Sequence, residues 1–196
     1  MSEPALRAAT YRDLFDLPEH VVGEILAGEI HVTPRPRVAH GIASARLGAR
    51  VSPPFDFGEG GPGGWWILDE PEVHLGGDVL VPDLAGWRRE RVPGIVEMVH
   101  IDLAPDWVCE ILSPATQVRD RTLKMSIYAR EGVPHLWLVD PLARLLEVYR
   151  LQEGRWLLLG VHAGKAMVRA EPFDAVELAL GPVWGGVEEA PEQKTP

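Results

Sequence analysis

Residues 107–141 read WVCEILSPATQVRDRTLKMSIYAREGVPHLWLVDP, and the fold follows from this stretch. DWVCEIL is a short, nearly continuous apolar run bounded by Pro105 and Pro114, the pattern of a central strand buried on both faces. ATQVRDRTLKMSIYAREG then has helical spacing, with Val118, Leu123, Ile127 and Tyr128 sharing an apolar face and Gly132 as the C-terminal stop. HLWLVDP is a second buried strand, ended by Pro141.

Working toward the N-terminus, DVLVPDLAGW (78–87) reads as a strand joined through Gly76-Gly77 to another, WWILDEPEVHL. Residues 52–64, SPPFDFGEGGPGG, read as an exposed loop because Gly and Pro dominate them. Val38, Ile42, Ala45 and Ala49 make a helical stripe after a PRPR turn, and GEILAGEIHVT (23–33) suits a strand or a hairpin around Ala27-Gly28. TYRDLFDLP (10–18) predicts a short opening helix with Thr10 as N-cap and Asp13 three positions on. Toward the C-terminus, LLEVYRL and RWLLLGV predict an antiparallel pair around Glu153-Gly154, and FDAVELAL a last short element. The order predicts an α/β fold: a mixed sheet flanked by helices, with an antiparallel C-terminal β extension. One domain is expected over 1–185, followed by a disordered acidic tail over 186–196.

Of the 196 residues, 46% are hydrophobic and 24% charged, an ordinary soluble composition. No stretch approaches a membrane span or the apolar centre of a secretion signal, which points to a cytoplasmic protein. Cys109 is the only cysteine. It therefore forms no intrachain disulfide, supplies no multi-thiolate zinc site, and reads as a buried structural thiol inside its apolar run. The formal charge of −10 argues against non-specific coating of a duplex. It is compatible with an enzyme whose acids hold a cation.

Two carboxylates interrupt apolar strands at their ends: Asp83 follows VLVP and Glu110 follows WVC. An ionised group there is costly to bury unless it is paired or holds a metal. Two such acids on neighbouring strands make the hard-oxygen set that Mg²⁺ prefers. Lys124 lies on the helix after the Glu110 strand, where one inward lysine can reach the strand ends. Phosphodiester cleavage uses such parts, a cation to activate water and an amine to add positive charge. The plainer reading of each residue alone is a turn aspartate, a solvated glutamate and a surface lysine. No GxxxxGK[ST] loop, GxGxxG or HExxH occurs. The seven tryptophans read first as packing residues, with Trp65, Trp66 and Trp87 the alternatives for stacking on a base.

The succession GEILAGEI, PRPRVAHGIASARL, VPDLAGW, DWVCEILSP and DRTLKMSIYAREGVPHLWLVDP resembles the restriction-endonuclease-like Uma family of the PD-(D/E)XK nuclease superfamily, over roughly residues 10 to 180. The resemblance implies a restriction-endonuclease-like fold, Mg²⁺ or Mn²⁺ as cofactor, and Asp83 and Glu110 as its ligands. The chain departs from the superfamily's E-x-K pattern, with Leu112 two residues after Glu110; the family looks as if it moves the lysine to the next helix, here Lys124. Glu24 and Glu29 are further acids that the pattern shares, and Glu29 is the one chosen to complete the metal shell or position a water. His40 matches a recurrent family histidine that would contact a phosphate or hold Glu29. Asp120 reads as a cap of the Lys124 helix and Asp140 as a turn residue.

Two functions follow. The first is a metal-dependent endodeoxyribonuclease acting as a homodimer, since cutting both strands suits two-fold symmetry. Its phosphate contacts would come from His40, Arg88, Arg119 and Arg121, with Arg35, Arg37, Arg89 and Arg91 also available. The second is a nuclease fold kept as a non-cleaving interaction scaffold, toward which the acidic total and Leu112 lean. In either case Leu145, Leu146, Val148 and Leu157 to Leu159 are candidates for a dimer surface.

Overall fold

A computed structural model of the chain describes residues 7–33 and 37–185; the expected acidic tail and Arg35 lie outside the described residues. The 107–141 stretch forms β7 (Trp107–Ile111), a helical stretch over 117–130, and β8 (His135–Asp140). β7 and β8 pair in parallel, with Cys109 opposite Trp137 and Glu110 opposite Leu138. Parallel neighbours need a crossover, and the helix supplies it.

The strand pair sits centrally in a six-stranded sheet. β6 (Leu84–Arg88) runs antiparallel to β7 with Leu84 opposite Cys109, and β3 (Trp65–Asp69) closes that edge. On the other side β8 pairs β9 (Leu145–Gln152), which pairs β10 (Arg155–Ala163), so the C-terminal β extension continues the same sheet. A second sheet of four strands has β1 (Val22–Leu26) beside β2 (Glu29–Thr33) on one side and β5 (Asp78–Leu80) on the other. β4 (Val73–Leu75) then forms its far edge. Ala27 and Gly28, both with positive φ (53° and 81°), make the tight β1–β2 turn.

The stretches that read as two long strands are four, in different sheets. WWILDEPEVHL divides into β3 and β4, and DVLVPDLAGW into β5 and β6. Pro82 has no N–H to give a ladder, and the chain leaves one sheet for the other there.

Strand alternation sorts the core into two clusters. Trp107, Cys109 and Ile111 pack with Trp65, Trp137, Phe55 and Phe173, under helix α1 (Val38–Ser52). Val108, Leu112, Ala85 and Trp87 pack with Ile127 and Tyr128 of the 117–130 helix. By the same parity Glu110 shares the face of Val108 and Leu112, and Asp83 that of Ala85 and Trp87. Glu110 therefore faces the crossover helix, and Asp83, just before β6, lies level with it.

Three expectations shift. α1 turns Ala43, Leu47 and Val51 to the core while Val38 is 79% exposed, so the stripe led by Val38 lies on the wrong side. The 52–64 segment opens with a π-helical turn, Pro53–Phe57, that buries Phe55, and Gly61 packs so closely on Pro54 that a Cβ would meet its Cβ at 2.4 Å. Leu146 and Val148 are core residues, which leaves Leu157 to Leu159 as the exposed apolar part of the expected dimer surface. Cys109 is fully buried, and burial pushes its thiol well above the ordinary range. No helix among the described residues is long and apolar enough to cross a membrane.

Phe173 contacts the rings of Phe55, Trp65, Trp107 and Trp137 and is wholly buried. Truncating a buried aromatic costs roughly 3–5 kcal/mol. Phe173→Ala should lower the urea midpoint by a corresponding amount. A loss below about 1 kcal/mol would show that the C-terminal segment is not part of the core.

Candidate active site

Asp83, Glu110 and Lys124 line one cleft where the two sheets meet. Leu84 opposite Cys109 sets Asp83, one residue earlier, level with Glu110. The 117–130 helix contains a π-helical turn, Asp120–Lys124, whose Asp120 and Lys124 are buried while Arg121 and Thr122 are exposed. Such widened turns recur at functional sites because they re-aim side chains.

Lys124 is 2% exposed. Its Nζ lies 2.8 Å from Glu110 Oε1, 3.0 Å from Glu24 Oε1 and 3.3 Å from the Val81 carbonyl oxygen. All three of its protons are thereby directed to acceptors. Burial alone would lower the Lys124 pKa, but Glu110, Glu24 and Asp120 together raise it above the ordinary value, so the amine stays charged. Glu110 also accepts from the Tyr128 hydroxyl at 2.6 Å. Burial pushes its carboxyl up to about 8, against the lowering effect of Lys124. Glu24 accepts from the Val81 N–H at 3.0 Å and has the Arg119 guanidinium 3.4 Å away.

Asp83 is held at both oxygens. His40 Nε2 lies 2.7 Å from Oδ1, and the Ile111 N–H donates to Oδ2 at 2.6 Å. Burial pulls the His40 pKa down, but the hydrogen bond and charge of Asp83 outweigh it and leave it raised. Asp120 and Glu70 also line the cleft, and burial raises both carboxyls. Five acids thus face two permanent cations, Lys124 and Arg119, and one histidine. That surplus of buried oxygen donors, with Glu110 short of countercharge, fits a hard divalent cation at Asp83 and Glu110.

The acid that β1 delivers is Glu24. Glu29, chosen from the sequence, stands exposed beside the β1–β2 turn opposite Leu26 and does not line the cleft. His40 accordingly holds Asp83 and not Glu29. Among the arginines singled out for phosphate, Arg119 lines the cleft and donates to Thr33 Oγ1 at 2.7 Å. Arg88 is at the opposite end of β6 from Asp83, its guanidinium 4.0 Å above the Trp65 ring. Arg121 points to β9 and pairs with Glu147 through two contacts of 2.9 and 2.5 Å. Arg89 pairs with Asp56, and Arg91 with Asp106 at 2.6 Å. Trp65 and Trp87 are buried, and Trp66 donates to the Val92 carbonyl, so all three serve packing. Thr116 is the N-cap residue of the helix, and Asp120, inside it, lines the cleft; Asp140 accepts from the Leu142 and Ala143 N–H groups as a turn residue. Leu112, at the position of the missing E-x-K lysine, is a core residue.

The family model Uma2, described as "Putative restriction endonuclease", matches residues 9–181. Among solved structures, the chain is similar to "a putative nuclease belonging to DUF820" from Anabaena variabilis, at 23% identity and a TM-score of 0.67, covering 90% of this chain and 98% of that one. At that identity the likeness establishes a shared fold. No curated protein matches the chain.

Glu110 holds its proton up to about pH 8 in the folded chain against 4.5 ordinarily, so folding takes up a proton between those values. Stability then falls as pH rises across that window. In a chelator, the melting temperature of wild type should drop more between pH 5.5 and 8.5 than that of Glu110→Gln. Equal drops in the two proteins would mean that Glu110 is ionised throughout.

Proposed function

The chain belongs to the Uma2 family, and on that premise we propose that it is a Mg²⁺- or Mn²⁺-dependent endonuclease hydrolysing DNA phosphodiester bonds. The observation that carries the reading is a charged lysine buried between Glu24 and Glu110 in the cleft that also holds Asp83. A divalent ion on Asp83 and Glu110 would supply the Lewis acidity that activates water and neutralises the phosphate.

The chain's own groups have distinct parts. Asp83 is preorganised, with His40 and the Ile111 N–H fixing its oxygens, so little reorientation is needed at the moment of reaction. His40 acts through Asp83 and is a positioning residue. Lys124 keeps its proton and so is no general base. It offers positive charge where charge builds on phosphate oxygen. Glu24 holds that amine and the Arg119 guanidinium at the wall of the cleft, which leaves Arg119 as the cation nearest an incoming backbone phosphate. The exposed Leu157, Leu158 and Leu159 on edge strand β10 suit pairing with a second copy for cutting both strands.

A second reading, a non-cleaving scaffold, is favoured by one observation: every proton of Lys124 is already satisfied within the chain. Plasmid nicking separates the two. With Mn²⁺, wild type should nick supercoiled DNA, while Asp83→Asn and Lys124→Ala should each lose about 10²–10³-fold, the scale of one electrostatic stabiliser. Lys124→Ala also strands two buried acids, at a cost of roughly 3–5 kcal/mol, so its folded fraction must be checked by circular dichroism. No nicking by wild type, or equal nicking by a folded Asp83→Asn, would favour the scaffold.

A further inference from the structure

Glu72 and His74 on and before β4 meet the 100–102 loop through paired backbone hydrogen bonds. His74 N–H donates to Ile101 O and Ile101 N–H to Glu72 O, each at 3.0 Å. This zipper brings the His74 and His100 rings into a parallel stack, centroids 3.9 Å apart and planes 4° from parallel. Glu72 Oε1 lies 2.8 Å from His74 Nε2. Asp102 Oδ1 is 3.5 Å from His100 Nε2 and 4.0 Å from His74 Nδ1. Tyr11, in the short 3-10 helix Tyr11–Asp16, packs edge-on against both rings at 4.6 and 5.8 Å.

Glu72, His74 and His100 each present a ligand atom within 4.8 Å of the others, and among the described residues they are the only such trio of His, Cys, Asp or Glu. None of them lines the acidic cleft. We infer that Glu72, His74 and His100 form a separate site for a borderline divalent transition metal such as Zn²⁺, with Asp102 beside it.

Two imidazoles and a carboxylate suit Zn²⁺, Co²⁺ or Ni²⁺, whereas Mg²⁺ prefers an all-oxygen shell. Parallel rings this close repel if both are protonated, and metal ligation keeps both neutral. His100 Nδ1 is closed to solvent and has no hydrogen-bond partner, a deficit that a bound ion shared by the rings would relieve. The trio remains reachable, with side-chain exposures of 34%, 17% and 31% for Glu72, His74 and His100. An ion there would tie edge strand β4 to the 100–102 loop, beneath Tyr11. Its role is to brace that edge, apart from the chemistry of the cleft.

The test is a Co²⁺ titration of the full chain after chelator treatment, read by visible d–d absorbance. Wild type should take up one equivalent with histidine–carboxylate bands, lose them to Zn²⁺, and keep them in millimolar Mg²⁺. His74→Gln and His100→Gln should each bind at least tenfold more weakly, and Asp83→Asn should bind as wild type does. Because the donors must shed protons, uptake should weaken as the pH falls. Glu72→Gln provides a third variant should either histidine change unfold the chain. The inference is overturned if wild type gives no such bands, or if the bands survive in folded His74→Gln and His100→Gln. It is also overturned if the bands vanish in Asp83→Asn, which would assign them to the cleft. Failure of the nuclease reading would leave this outcome untouched.

Discussion

An ammonium buried to 2% exposure is tolerable only where carboxylates surround it, and Lys124 imposes that constraint on the rest of the molecule. Its two carboxyl partners come from different sheets: Glu24 from β1 and Glu110 from β7. Its neutral acceptor, the Val81 carbonyl, lies where the chain passes from β5 toward β6. Both sheets and the crossover helix must therefore be in place before the charge is satisfied. One ion cluster joins the two sheets at the point where the cleft opens.

The same cluster leaves an imbalance. Lys124 is shared between acids, and Glu110 remains under-compensated, with a carboxyl near 8. A site arranged only for stability would replace the whole buried ion cluster by apolar groups at little cost. Keeping five acids around so few cations makes sense if a divalent ion supplies the missing charge when it binds. The helix-borne lysine reaches Glu110, two residues before the E-x-K position. Leu112, which takes that position just after β7, is committed to the core, and a π-turn lets the helix deliver an amine to the same carboxylate.

Much of this was legible in the sequence, for identifiable reasons. Long apolar runs bounded by proline define β7 and β8 without ambiguity, and acids breaking such runs mark Asp83 and Glu110. What was hidden depends on facing. Helical spacing alone gives no sign of which side of α1 meets the sheet, and the buried side is that of Ala43, Leu47 and Val51, not of Val38. Glu24 and Glu29 flank one hairpin, and only the pairing of β1 with β5 makes Glu24 the inward acid. Arg88 and Arg121 were chosen by charge, yet their partners, Trp65 and Glu147, are distant in sequence. His74 and His100 lie 26 residues apart with no ligand-type spacing, and backbone pairing between β4 and the 100–102 loop stacks them.

The proposed chemistry of the cleft turns on Asp83 and Glu110 receiving one cation beside the Lys124 amine. Crystals grown with Mn²⁺ and measured at a wavelength giving strong manganese anomalous scattering test this directly. A single anomalous peak within coordination distance of one oxygen from each carboxylate is the predicted result. A map with no peak at that place, in crystals where the two side chains are ordered, would contradict it.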